Sequence, residues 1–174
     1  MTPQQIILLQ AYRDKAYVSN ILCEECSNFY SHLKSLVNVP LILSSSLMAI
    51  LNSSTFEAEA MKIPNVVINS VNALLLSLIS NFKLVEKSSN FKSVGNKFNK
   101  LCHAIEDKLT NDQENITTEH IRLFITEYDN LNESLEYSYL EFVKSRNQKK
   151  YKNEKSLPNC LNCTQSFIHE HSAV

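Results

Sequence analysis

The sequence predicts an all-α fold: a two-helix transmembrane hairpin, with an N-terminal helix before it and a cytosolic helical hairpin after it. Three observations predict this. First, two long stretches carry no charged residue, one of 22 residues over 35–56 and one of 20 residues over 63–82. At about 1.5 Å rise per residue, each matches the roughly 30 Å hydrocarbon core of a bilayer. Second, apolar residues elsewhere recur at helical spacing. Third, the 174 residues hold one glycine, Gly95, and no tryptophan. That composition lacks the turn glycines of a β-rich fold and the glycine-rich loops that cradle phosphates.

The elements follow in order. Thr2 can cap a helix, Pro3 suits the first helical position, and Gln5 can complete a capping box. Ile6, Leu9, Tyr12 and Ala16 continue a helical stripe, and Ile21, Tyr30, Leu33 and Val37 carry it to Pro40. Pro40 and Pro64 are placed near helix starts. The spans are expected at about residues 36–54 and 63–83. The linker EAEAMK, residues 57–62, is short enough to force an antiparallel pair. After the second span, Leu84, Phe91, Phe98 and Ile105 recur every seven residues, with Val94 and Leu101 between them. This helix is expected to continue the span. Residues 110–115 are a polar break. A last helix is expected from Thr117 or Thr118, with Ile121, Tyr128, Leu135 and Phe142 again every seven and Phe124 and Leu131 between. Two matched seams joined by a short connection imply a second antiparallel hairpin. Residues 144–155 are basic and poor in apolar groups, which predicts a linker or a fraying helix end. The membrane domain is therefore drawn as 1–146 and a basic, Cys/His-containing tail as 147–174.

Lys34 precedes the first charge-free run, Lys83 and Lys87 follow the second, and the linker is net negative. Basic residues favour the cytoplasmic side, so both termini are expected there, in a multi-pass arrangement. The same lysines suit anionic lipid headgroups. Within the spans Ser44, Ser45, Ser46, Asn52, Asn69 and Asn72 are polar. Buried in lipid they need partners, and polar residues are common at helix interfaces in membranes. Asn69, Asn72 and Ser77 are thus expected between the helices. On a helical wheel Asn69 and Asn72 fall within about 60° of each other. The competing arrangement is a soluble bundle in which the two runs are buried core helices.

The chemistry-bearing residues are few. Five cysteines with no signal-peptide pattern imply a reducing compartment rather than a disulfide scaffold. Cys160 and Cys163, with His169 and His171, could hold one zinc ion tetrahedrally. No other cofactor is implied. Cys23 and Cys26 form a second C-x-x-C, but inside a helix, without the strand-to-helix context of a redox motif. Cys102 is expected in a seam, and His32 and His103 as polar surface groups. No Ser-His-Asp set or carboxylate pair stands at catalytic spacing, so the chain is expected not to be an enzyme. A net charge of −1 predicts no nucleic-acid partner. The expected partners are the lipid bilayer, further copies of the chain, and viral capsid or membrane proteins, the last on the resemblance that follows.

Val39-Pro40-Leu41-Ile42-Leu43-Ser44-Ser45 leads to Asn52 at the close of the first span, and Asn69 leads to Phe82-Lys83-Leu84 at the close of the second. Phe124, Tyr128-Asp129, Leu131 and Glu133-Ser134 follow. In order and spacing, over roughly residues 10–145, this resembles the two-transmembrane proteins of large nucleocytoplasmic DNA viruses, which are similar to bacterial SLATT-type effector domains. Ser46-Leu47-Met48-Ala49 stands where the viral pattern often has Thr-x-x-Gly, and Leu135 follows Ser134 where it often has proline. The Cys/His tail is not part of the likeness. The resemblance implies a structural or scaffolding component of a virion membrane or capsid. Its alternative is an oligomeric pore-forming effector, with Ser44–Ser46, Asn69 and Asn72 lining a channel.

Overall fold

The computed structural model describes residues 3–53, 58–111, 116–152, 157–158 and 160–161, with the side chains of 58–61 left aside. The chain is all-α. Its helices are α1 (Pro3–Ser53), α2 (Ala58–Asn81), α3 (Leu84–Asn111), α4 (Thr118–Glu133) and α5 (Glu141–Lys150), and no strand occurs among the described residues. Two compact units divide it. Asn28–Ser88 forms one, the hairpin unit. Met1–Ser27 and Ser89–Val174 together form the other, the bundle unit.

The bundle unit is built on seams spaced three and four residues apart. Along α1, Leu9, Ala16, Ser19, Cys23 and Cys26 are buried. Along α3 the buried set is Phe91, Val94, Phe98, Leu101 and Ile105, the apolar positions expected for that helix. On α4 it is Ile121, Tyr128 and Leu131. This spacing lets side chains of neighbouring helices interdigitate at shallow crossing angles. Aromatic rings fill the centre: Tyr128 lies 5.4 Å from Tyr12, edge to face, and 5.6 Å from Phe98. The start of α4 is fixed by a capping box. The Thr117 hydroxyl accepts from the His120 N–H, and the Thr117 N–H donates to His120 Nδ1, both at 3.3 Å.

At Gly95 α3 comes close to α1. A Cβ there would lie 2.9 Å from Cys23 Cβ, closer than real Cβ contacts come, and Cys23 Cβ cannot swing aside. Gly95→Ala gains about 1 kcal/mol of helix propensity but forces the backbones apart, an overpacking cost of roughly 1–3 kcal/mol. A net loss of bundle stability is expected, read as a lower unfolding midpoint of the full chain in detergent.

Several expectations are corrected. The last helix does not run on to Phe142. It ends at Glu133, with Ser134 as its C-cap and the Ser134 hydroxyl donating to the Leu131 carbonyl at 2.7 Å. The chain restarts as α5, and the register is reset: Leu135 is half-buried and Phe142 is 50% exposed, while Tyr139, Val143 and Asn147 are buried instead. Of the two expectations for residues 144–155, a linker or a helix end, 144–150 are the end of α5, and the boundary drawn at 146/147 falls inside that helix. Asn147 is fully buried and donates through Nδ2 to Glu25 Oε2 at 2.7 Å and to the Val143 carbonyl at 3.0 Å. Arg146 reaches the same Glu25 oxygen at 2.7 Å. A charge-assisted polar contact thus links α5 to α1, beside the buried Val143.

Pro40 and Pro64 do not start helices but lie inside α1 and α2. Each removes one N–H from the helical ladder. The second span does not pass unbroken into α3 either. Lys83 takes a left-handed conformation, φ 50°, and its N–H donates to the Ser80 carbonyl at 3.1 Å, the closing bond of a helix C-terminus. α3 starts at the next residue.

Candidate membrane-spanning hairpin

In the hairpin unit, the second half of α1 and the whole of α2 pair in antiparallel fashion across residues 54–57, which lie outside the described residues. Their shared seam again has alternating three- and four-residue spacing. Val37, Leu41, Ser44, Met48 and Leu51 of α1 are buried or half-buried, and so are Asn65, Ile68, Asn72, Leu75 and Ile79 of α2. Near its middle the Ser44 hydroxyl lies 2.6 Å from Asn72 Oδ1 and 3.0 Å from the Leu41 carbonyl, and can donate to either.

Outside the seam much of the surface is apolar. Leu36, Ile42, Leu43, Leu47 and Ile50 on α1 are exposed, as are Ile63, Val66, Val71, Leu74 and Leu78 on α2, from 45% at Leu78 to 76% at Ile63. Each of the two long helices carries an 18-residue stretch of mean hydropathy 1.6, and at most 6% of either stretch is buried within the chain. The core helix of a soluble bundle would be mostly covered. By length and composition both helices can cross a membrane.

The polar residues singled out from the sequence divide into several groups. Ser44 and Asn72 meet in the seam. Ser45, Asn52 and Asn69 are exposed, and Ser46, also exposed, donates to the Ile42 carbonyl of its own helix at 2.8 Å. The expectation that Asn69 and Ser77 lie between the helices is corrected. Asn69 is exposed, and Ser77, also exposed, accepts from Asn81 Nδ2 at 3.1 Å along the surface of α2. At 100° per residue Asn72 lies about 20° from the centre line of the seam and Asn69 about 80°, so one is enclosed and the other is not.

At the end of the hairpin away from residues 54–57, Lys34 is half-buried, and Lys83 is exposed, 3.4 Å from Glu86. The Lys87 ammonium sits 5.4 Å from the centre of the Tyr30 ring, a cation–π contact. Exposed Phe82 and Phe29 stand at the same end of the paired segments. Lysines beside aromatic rings are the composition of a membrane–water interface.

The remaining chemistry lies in the bundle unit. Cys23 and Cys26 are buried, and burial pushes the Cys23 thiol up to about 12 against the small opposing effect of the Tyr139 hydroxyl 3.6 Å away. Cys26 is raised by the same cause. Thiols held protonated are poor nucleophiles and poor redox centres. A cleft of about 410 Å³ is lined by Arg13, Asp14, Tyr17, Cys102, His103 and Glu106, a set with no signature in the sequence. Its Arg13 is bound to Asp14 at 2.7 Å, and Cys102 is raised above its usual range, first by burial and then by Glu106. The cleft thus offers neither an unpaired guanidinium nor a ready thiolate. Of the four residues named for zinc, Cys160 is described and half-buried, while Cys163, His169 and His171 lie outside the described residues. Among the described residues no three His, Cys, Asp or Glu side chains converge as metal ligands. Comparison with protein-family models, with curated proteins and with solved structures finds no match to this chain.

Proposed function

We propose that the chain is a non-enzymatic integral membrane protein. In this reading the α1–α2 hairpin crosses the bilayer, both termini are cytoplasmic, and the bundle unit is a scaffold for assembly at the membrane surface. The observation that carries it is the exposed apolar surface of the hairpin unit, where Leu, Ile and Val side chains of two charge-free helices stand uncovered while Ser44 and Asn72 are joined in the seam. Burying that apolar surface in lipid is favourable by about 25 cal/mol per Å². Lys34, Lys83 and Lys87 at one end, against the acidic linker at the other, support the orientation. The resemblance to viral two-transmembrane proteins supports a structural role in a virion membrane or capsid-associated layer. The pore-forming alternative needs polar groups turned to a water path. Ser44 and Asn72 instead bind each other, which favours packing and anchorage.

Alkaline carbonate extraction of the expressed full chain tests the placement, and protease treatment of intact vesicles tests the topology. Retention in the membrane pellet with both termini cleaved from the cytoplasmic side is expected. Release into the supernatant would overturn the proposal.

A further inference from the structure

Resting on the membrane reading just given, we propose that α2 carries a second seam through which two copies of this chain associate, with Asn69 of each copy paired to Asn69 of the other. Every other polar side chain on the outer surface of α2 between Val66 and Phe82 is small or bonded within its own helix. Ser70 returns its hydroxyl to the Val66 carbonyl at 2.7 Å, and Asn81 donates to Ser77 at 3.1 Å. Asn69 is exposed, and among the described residues no hydrogen bond reaches its amide.

Its position makes this costly. Asn69 lies about 9 Å along the axis from Ile63, well inside a hydrocarbon layer of roughly 30 Å. The Ser44–Asn72 bond sets the antiparallel register, and by that register Asn69 is level with Leu47 and Met48 of α1, both apolar. The neighbouring helix therefore offers no partner at that depth. An amide carries two donor hydrogens and an acceptor oxygen, and leaving them without partners in lipid is strongly unfavourable.

The surroundings of Asn69 form a track. Val66, Asn69, Ala73, Leu76 and Ser80 are spaced three, four, three and four residues apart, and all are exposed. This track lies about 100° round the helix from the α1–α2 seam. The opposite side, with Val67, Val71, Leu74 and Leu78, is apolar throughout. A primary amide is its own complement: N–H donates to the facing carbonyl oxygen, and the reverse bond forms by two-fold symmetry. That complementarity selects a second copy over a lipid chain, which can neither donate nor accept. Ala73, next on the track, leaves room for close helix approach.

The test uses the full chain with Cys160→Ser and Cys163→Ser, since Cys23, Cys26 and Cys102 are buried. Membrane retention after carbonate extraction is measured first for every variant, so that loss of insertion is separated from loss of association. Among retained proteins, oxidation is expected to link copies through Ala73→Cys or Leu76→Cys, and not through Val71→Cys or Leu74→Cys. Asn69→Leu is expected to weaken self-association about tenfold by energy transfer in vesicles, while Asn69→Gln keeps it. A retained wild-type chain that stays monomeric overturns the inference. So does a retained Asn69→Leu variant that associates as tightly as wild type, or cross-linking that is equal on both sides of α2. Release of the unmodified chain by carbonate overturns the membrane reading and this inference with it.

Discussion

Leu74→Arg is expected to remove most of the chain from the carbonate-resistant membrane fraction. Leu74 is 67% exposed and lies near the middle of the second charge-free run. An arginine at the centre of a span costs roughly 2.5–3.5 kcal/mol on insertion scales. That run holds eleven Leu, Ile, Val and Phe side chains, together worth roughly −3 to −7 kcal/mol on the same scale, reduced by four asparagines. One arginine therefore cancels much of the driving force. The soluble alternative predicts the opposite. At an exposed position of a soluble helix, Leu→Arg changes stability by no more than about 0.5 kcal/mol and improves solubility. Leu123→Arg is the matched control: it is 61% exposed on α4 of the bundle unit, and no loss of membrane retention is expected there. A Leu74→Arg variant that fractionates like wild type would contradict the placement of α2 in lipid.

How much of this was legible in the sequence depended on the kind of signal. The buried face of α3 was legible because bulky apolar residues at Phe91, Val94, Phe98, Leu101 and Ile105 alternate cleanly with polar ones. The two apolar helical stretches were legible because charges are absent. The break between α4 and α5 was hidden. Leu135 and Phe142 continue the seven-residue spacing by coincidence, and no glycine or proline marks the end of α4 at Glu133. α5 itself was hidden because its buried residues are one valine and an asparagine. The Glu25–Asn147 contact joins residues 122 apart, and neither residue has a local pattern that announces it. The spans were also only half decoded. Asn69 and Asn72 were read as sharing a face, and the angle between them is right. The seam between two helices, however, admits only the positions nearest the contact line. Which of the two asparagines was enclosed depended on the register of α1 against α2, which neither segment specifies alone.

Phe98→Ala is expected to destabilise the bundle unit by about 3–5 kcal/mol, the usual loss when a fully buried phenylalanine is truncated and leaves a cavity. Phe98 is 0% exposed and its ring lies 5.6 Å from that of Tyr128. Tyr128 in turn meets Tyr12 edge to face, and its hydroxyl lies 3.5 Å from Ser19 Oγ. The ring thus supports a contact chain that runs from α3 through α4 to α1, and the neighbouring aromatic groups are too rigid to collapse into the space it leaves. Against a total stability of about 5–15 kcal/mol for a domain of ordinary size, such a loss brings the unit close to unfolding. Phe98→Leu, which keeps most of the volume, is expected to cost much less. The hairpin unit draws its seam from other residues. Membrane retention of Phe98→Ala is therefore expected to match wild type while protease cleavage within α3 and α4 rises sharply. If retention and protease resistance are lost together, the hairpin depends on the bundle for insertion, and lipid burial of α1 and α2 alone is too weak to hold the chain in the membrane.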